Sequence, residues 1–228
     1  MKKYFLLIIM LTFLKSFAQQ TAVEFANFKK YKTENEALNA PAANENRVVF
    51  MGNSITEGWK NTHPDFFEEN PYIDRGISGQ TTSQMLLRFR KDVIELQPKA
   101  VVFLAGINDI AENTGPIALE DIFGNIASMI ELAKANNIKV VLCSVLPAND
   151  FPWRPSIKPA DKVISLNKML KNYAKENNLV YVDYYSEMVN DTKGLDPDIA
   201  KDGVHPTLKG YKIMEPMVKK GIDKVLGN

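Results

Sequence analysis

The chain has 228 residues, 45% of them apolar and 24% charged, which are the proportions of a globular protein able to bury one domain-sized core. Its 28 basic and 27 acidic residues leave no basic excess, which argues against a nucleic-acid partner held by a charged face. The single cysteine, Cys143, cannot form an internal disulfide. The fold must therefore rest on its core, and Cys143 reads as a small core residue within "KVVLCSVL".

The first residues are "MKKYFLLIIMLTFLKSFAQQ". Lys2 and Lys3 precede a short apolar run from Tyr4 to Leu14, and Ser16-Phe17-Ala18 ends in a small residue. This is the pattern of an export signal over residues 1–18, with a mature chain starting near Gln19 and a periplasmic or secreted destination. Lys15 is atypical for a cleavage region, so an uncleaved anchor stays open. No cysteine stands near residue 19 to carry a lipid. Removal of residues 1–18 takes three lysines and no acid, leaving 25 basic against 27 acidic residues. Residues 19–46 read as one helix, "AVEFANFKKYKTENEAL", followed by a polar linker.

From residue 47 to 228 the chain reads as a single α/β domain. Five apolar runs have strand character: "RVVFMG" (47–52), "YIDRGI" (72–77), "AVVFLAG" (100–106), "KVVLCSVL" (139–146) and "VYVDYY" (180–185). Several are almost continuously apolar, as strands covered on both faces are. Helical spacing runs between them. Met85, Leu86, Phe89, Val93 and Leu96 share one face, and Ile122, Ile126, Met129, Ile130 and Ala133 share another. The segments 160–178 and 207–226 repeat the pattern, with Pro216 expected to kink or break the last. Strands alternating with helices predict right-handed crossovers and a parallel sheet in a three-layer αβα sandwich. Ligands of such sheets bind at the carboxyl ends of the strands.

Those ends carry a consistent chemistry. "GNSITEG" holds Ser54, "GISGQTT" holds Gly79, "GINDI" holds Asn108 and Asp109, and "KDGVHP" holds Asp202 and His205. A serine hydroxyl needs an adjacent base to attack an ester carbonyl. Histidine titrates close to neutrality and fits that task. A carboxylate on its far nitrogen fixes the tautomer. Asp202 and His205 stand three residues apart, so one turn of chain can pair them, with Pro206 suited to open the closing helix. The N–H of Ser54, the N–H of Gly79 and the side-chain amide of Asn108 are candidate donors for an oxyanion.

Together, "FMGNSI", "GISGQTT", "AGIND" and "DGVHP" resemble the four sequence blocks of the SGNH (GDSL) hydrolases, in that family's order. Within it the chain is similar to small bacterial acylhydrolases related to platelet-activating-factor acetylhydrolase subunits. The resemblance implies a flavodoxin-like five-stranded sheet and ester hydrolysis without a cofactor, and no His-rich or Cys-rich spacing points to a metal site. It also implies Ser54 as nucleophile, His205 and Asp202 as its partners, and Ser54, Gly79 and Asn108 as the oxyanion hole. One residue departs from the pattern: the first block usually reads Gly-Asp-Ser, and Asn53 stands in place of the aspartate.

The expected substrates are esters of short acyl groups, such as O-acetyl on carbohydrates, or other small esters. Longer acyl chains, as for a lysophospholipase, are an alternative. A catalytically silent glycan- or lipid-binding relative is a second, with Asn53 its only support. Trp59, Trp153 and Arg154 are candidates for substrate contact, the last two in the proline-rich "NDFPWRPSIKP" loop. His63 reads as a surface or capping residue, and Asp109 as a hydrogen bonder at a loop or helix start. "GNSITEG" is neither a G-x-S-x-G elbow nor a phosphate loop, since Thr56 and the missing lysine break both patterns.

Overall fold

The five apolar runs form one wholly parallel sheet of order β2-β1-β3-β4-β5, with β1 Val48–Gly52, β2 Tyr72–Gly76, β3 Ala100–Leu104, β4 Lys139–Cys143 and β5 Val180–Val182. The computed structural model describes residues 21–227, so the export signal expected over 1–18 lies outside the described residues. β1 and β3 are buried along their whole length, which explains their uninterrupted apolar character. The register runs in step across the sheet: Val48 pairs with both Tyr72 and Ala100, and Ala100 pairs with Lys139. The order reverses beside β1, and an open parallel sheet offers its crevice at such a switch point.

Among the described residues, ten α-helices connect and cover the strands. In chain order they are α1 Ala22–Ala26, α2 Lys32–Ala37, α3 Ser54–Thr62, α4 Asp65–Glu68, α5 Thr82–Asp92, α6 Ile107–Ile110, α7 Leu119–Ala135, α8 Ala160–Glu176, α9 Tyr184–Met188 and α10 Leu208–Leu226. α3 and α10 pack together on one face, where Tyr211 stacks on Trp59 and its hydroxyl donates to the Ile55 carbonyl at 2.8 Å. α5, α7 and α8 line the other. The layers are those of a three-layer αβα sandwich. Cys143 is buried in the core, which pushes its thiol up to about 12. No helix among the described residues is long and apolar enough to cross a membrane.

Several boundaries differ from the sequence reading. The single helix expected after residue 20 is two short ones. Asn27 takes a left-handed conformation (φ 53°) and ends α1, and its N–H donates back to the Glu24 carbonyl. The "VYVDYY" run stops being a strand after Val182, because the Asp183 side chain accepts the Ser186 N–H and caps α9. α10 continues through Pro216. Proline removes one helical hydrogen bond, while Tyr211, Met214, Val218 and Ile222 are buried on both sides of it. Pro206 does not open that helix. Thr207 caps it instead, accepting the Gly210 N–H.

The most unusual core residue is Arg88 on α5, fully buried. It donates to Gln80 Oε1 (2.6 Å), Asp92 Oδ2 (2.9 Å) and the carbonyl of Gly52 at the end of β1 (3.0 Å). A buried charge survives only when paired and hydrogen-bonded in this way. Arg88→Met is expected to lower the unfolding free energy by about 3–5 kcal/mol, since it leaves the buried Asp92 carboxylate with Asn35 but without its cation. Urea denaturation would read this as an earlier midpoint at unchanged slope.

Candidate active site

β1 ends at Gly52 and α3 begins at Ser54, with Asn53 between them as the N-cap. Asn53 Oδ1 accepts the Ile55 N–H at 3.0 Å. Capping is thus done by Asn53, and the Ser54 hydroxyl is left for other work. Its Oγ lies 2.9 Å from His205 Nε2, a contact across 151 residues of sequence. His205 Nδ1 lies 2.6 Å from Asp202 Oδ2. With a carboxylate on Nδ1, that nitrogen carries the proton and Nε2 is free to accept from Ser54.

Asp202 is held by its own loop. Its Oδ1 accepts the N–H groups of His205 (2.8 Å) and Val204 (3.0 Å). Partial burial pushes the Asp202 carboxyl up, but the hydrogen bonds from His205 and Val204 outweigh it and leave it below its ordinary value. The side chains of His205 and Asp202 remain 40% and 43% exposed, so this serine–histidine–aspartate chain opens on the surface.

The other two blocks meet beside it. The Asn108 side chain is buried and donates one N–H to the Gln80 carbonyl at 3.0 Å, which fixes it against the Gly79 loop. The Ile77 N–H donates to the Gly52 carbonyl at 3.2 Å, which ties that loop to β1. Among the described residues neither the Ser54 N–H nor the Gly79 N–H has a protein partner. Next to Asn108, Asp109 accepts the Thr82 N–H with both oxygens at 3.0 Å and the Thr82 hydroxyl at 2.6 Å. Asp109 therefore holds the start of α5 rather than facing the opening.

Trp59 is no substrate contact. It is 1% exposed, stacked between Phe66 and Tyr211, and its N–H donates to Glu215. Its place on the inner face of α3 puts it in an aromatic cluster under β1. Trp153 is the opposite case. It is 46% exposed, its ring lies 6.1 Å from that of His205, and it stacks on the fully buried Phe151. Arg154 donates to the Glu112 carbonyl at 2.8 Å, bracing the same loop. His63 caps the end of α3, and its ring meets Glu215 (2.7 Å) and Lys212 (2.9 Å). Sequence reasoning missed Gln80, Arg88 and Glu57. Glu57 and Gln80 lay inside the quoted blocks "GNSITEG" and "GISGQTT" but were passed over beside Ser54 and Gly79, while Arg88 sits on a helix face with no motif to mark it.

Fold and family place the chain among the carboxylic ester hydrolases. It belongs to the GDSL-like lipase/acylhydrolase family, whose sequence model matches residues 50–213. The crystal structure of a GDSL-like lipase from Bacteroides thetaiotaomicron VPI-5482 is 60% identical with a TM-score of 0.86, covering 88% of this chain and 99% of its own. An acetylxylan esterase of Geobacillus stearothermophilus is 25% identical over 150 residues, 62% of this chain and 67% of that protein. The lipoprotein YqeF of Bacillus subtilis is 32% identical over 117 residues, 44% of this chain and 48% of that protein, so the match spans about half of YqeF.

Burial pushes the Asp109 carboxyl up from its ordinary 3.8 to about 6, against the opposing hydrogen bonds from Thr82. The folded state therefore holds this proton more tightly than the unfolded chain, and Asp109 lowers stability progressively as pH rises through that window. The Tm of wild type relative to Asp109→Asn is expected to fall between about pH 4 and pH 6, then stay level. Paired thermal melts across that range measure it.

Proposed function

We propose that the protein is an exported serine esterase that removes short acyl groups, such as O-acetyl, from carbohydrates or small esters. The observation that carries this reading is the continuous contact from Ser54 Oγ to His205 Nε2 (2.9 Å) and from His205 Nδ1 to Asp202 (2.6 Å). Ser54 Oγ attacks the ester carbonyl carbon while its proton passes to His205 Nε2. Asp202 holds the imidazole in place and stabilises its charged form. The N–H groups of Ser54 and Gly79 and the free amide proton of Asn108 take the oxyanion, aided by the positive end of α3. Collapse of the tetrahedral species expels the alcohol, which takes the proton from His205. Water then attacks the acyl-enzyme by the same route, releasing the acid and restoring Ser54.

Substrate size follows from the opening. The half-exposed triad accepts a bulky alcohol such as a polysaccharide. Trp153, fixed on Phe151 beside His205, offers a flat apolar platform for a sugar ring. Kinship with an acetylxylan esterase agrees with this choice. The amino-terminal pattern of residues 1–18 and the lipoprotein relative support export.

Purified protein should turn over p-nitrophenyl acetate, with kcat/KM falling as the acyl chain lengthens. Ser54→Ala and His205→Ala should each reduce kcat by about a thousandfold or more, and Asp202→Asn by a comparable factor. A fluorophosphonate should label Ser54. Unchanged rates in the first two variants, or no labelling, would return the chain to the silent binding reading. Trp153→Ala should raise KM for acetylated xylo-oligosaccharides about tenfold and leave p-nitrophenyl acetate nearly unaffected.

A further inference from the structure

The oxyanion loop is rigid at its base and bare at its tip. At the base, Gly76 packs so closely on α3 that an added Cβ would lie 2.2 Å from the Glu57 nitrogen and 2.7 Å from the Asn53 carbonyl oxygen. At the tip, Ser78 and Gly79 are exposed, and a Cβ placed on Gly79 (φ +77°) would meet nothing within 4 Å. Packing therefore cannot hold the Gly79 N–H in place. Hydrogen bonds must, and two sets are present. Asn113 Nδ2 donates to the Gly79 carbonyl at 3.1 Å. On the other side Glu57 Oε2 accepts both the Ser78 N–H (2.7 Å) and the Ser78 hydroxyl.

Glu57 is itself held. Its other oxygen meets Lys30 Nζ at 2.6 Å. Lys30 lies between α1 and α2, in a strap formed by residues 21–38. That strap is tied to the same loop and to the start of α5 elsewhere: the Tyr31 hydroxyl donates to the Gly76 carbonyl, Gln80 Nε2 to the Ala26 carbonyl (2.8 Å), and Gln84 Nε2 on α5 to the Phe25 carbonyl (2.7 Å). Ser54 and Glu57 stand on one short helix, so a carboxylate that grips Ser78 also sets the distance between nucleophile and oxyanion donor.

We propose that Glu57 is a positioning residue for the oxyanion donor Gly79, locked by Lys30, and that the amino-terminal strap thereby sets the catalytic rate. This rests on the esterase reading of the site. Glu57 touches no substrate; it acts through Ser78. Its loss should act on the transition state, where the oxyanion forms, and spare ground-state binding. A displacement of the donor by about 1 Å is enough to cost on the order of a hundredfold.

The experiment combines p-nitrophenyl acetate kinetics with amide hydrogen exchange over residues 76–84, on wild type, Glu57→Ala, Ser78→Ala and Lys30→Met. Glu57→Ala should lower kcat by about ten- to a hundredfold with KM within about twofold, and should speed exchange at residues 77–80. Lys30→Met, at a side chain 40% exposed, should show the same pattern more weakly. Ser78→Ala keeps the backbone bond and should fall between wild type and Glu57→Ala. Thermal melts confirm that each variant is folded. Unchanged kcat, a loss confined to KM, or unchanged exchange at residues 77–80 in folded Glu57→Ala would overturn the proposal. If wild type itself turned over no ester, the esterase reading would fail, while the exchange result would still decide whether Glu57 pins the loop.

Discussion

The carbonyl of Gly52 is the point on which the site is built. It ends β1 and accepts two donors, the Ile77 N–H from the loop after β2 and the guanidinium of Arg88 from α5. Arg88 in turn holds Gln80, and the Gln80 carbonyl accepts the amide of Asn108 from the loop after β3. One buried cation thus ties three strand ends into a single frame. Taking such a charge out of water is unfavourable by several kcal/mol, and only its full set of partners offsets this. That cost makes the arrangement specific, because any shift of one loop leaves a buried polar group without its partner.

The site divides into a stiff half and an open half. Ser54, Asn108 and the base of the Gly79 loop sit on this buried frame. His205 and Asp202 come from a surface turn whose geometry is local, since the two residues and their backbone bonds span only four positions. The turn needs only to be set down opposite Ser54, which the capped start of α10 does. Asn53, the departure from the family pattern, does what the helix start needs by accepting the Ile55 N–H. Its Nδ2 is buried and has no hydrogen-bond partner among the described residues.

Much of this could be read before the structure. The parallel sheet followed from the continuous apolar strands, and the location of Ser54, Asn108 and the Asp202–His205 turn followed from their places at strand ends. Trp59 could not be read. Its position after a quoted motif pointed outward, while helical phase turned it into the aromatic cluster with Phe66 and Tyr211. Nor could the break in the amino-terminal helix, since an asparagine in the left-handed region looks like any other polar residue in sequence. Pro216 pointed the other way: a strong local signal was overridden by burial on both sides.

By itself, the sequence determined the periodicity of each element, the order of the strands' chemical loads and the pairing of Asp202 with His205. These depend on spacing along the chain, and spacing is what a sequence records. Tertiary structure alone decided that Ser54 meets His205 across 151 residues, that Arg88 and Glu57 brace the loops from within, and that Trp153 rather than Trp59 faces the opening. Each of those is a contact between segments distant in sequence. Such contacts arise from the packing of whole layers, to which no single local pattern has access.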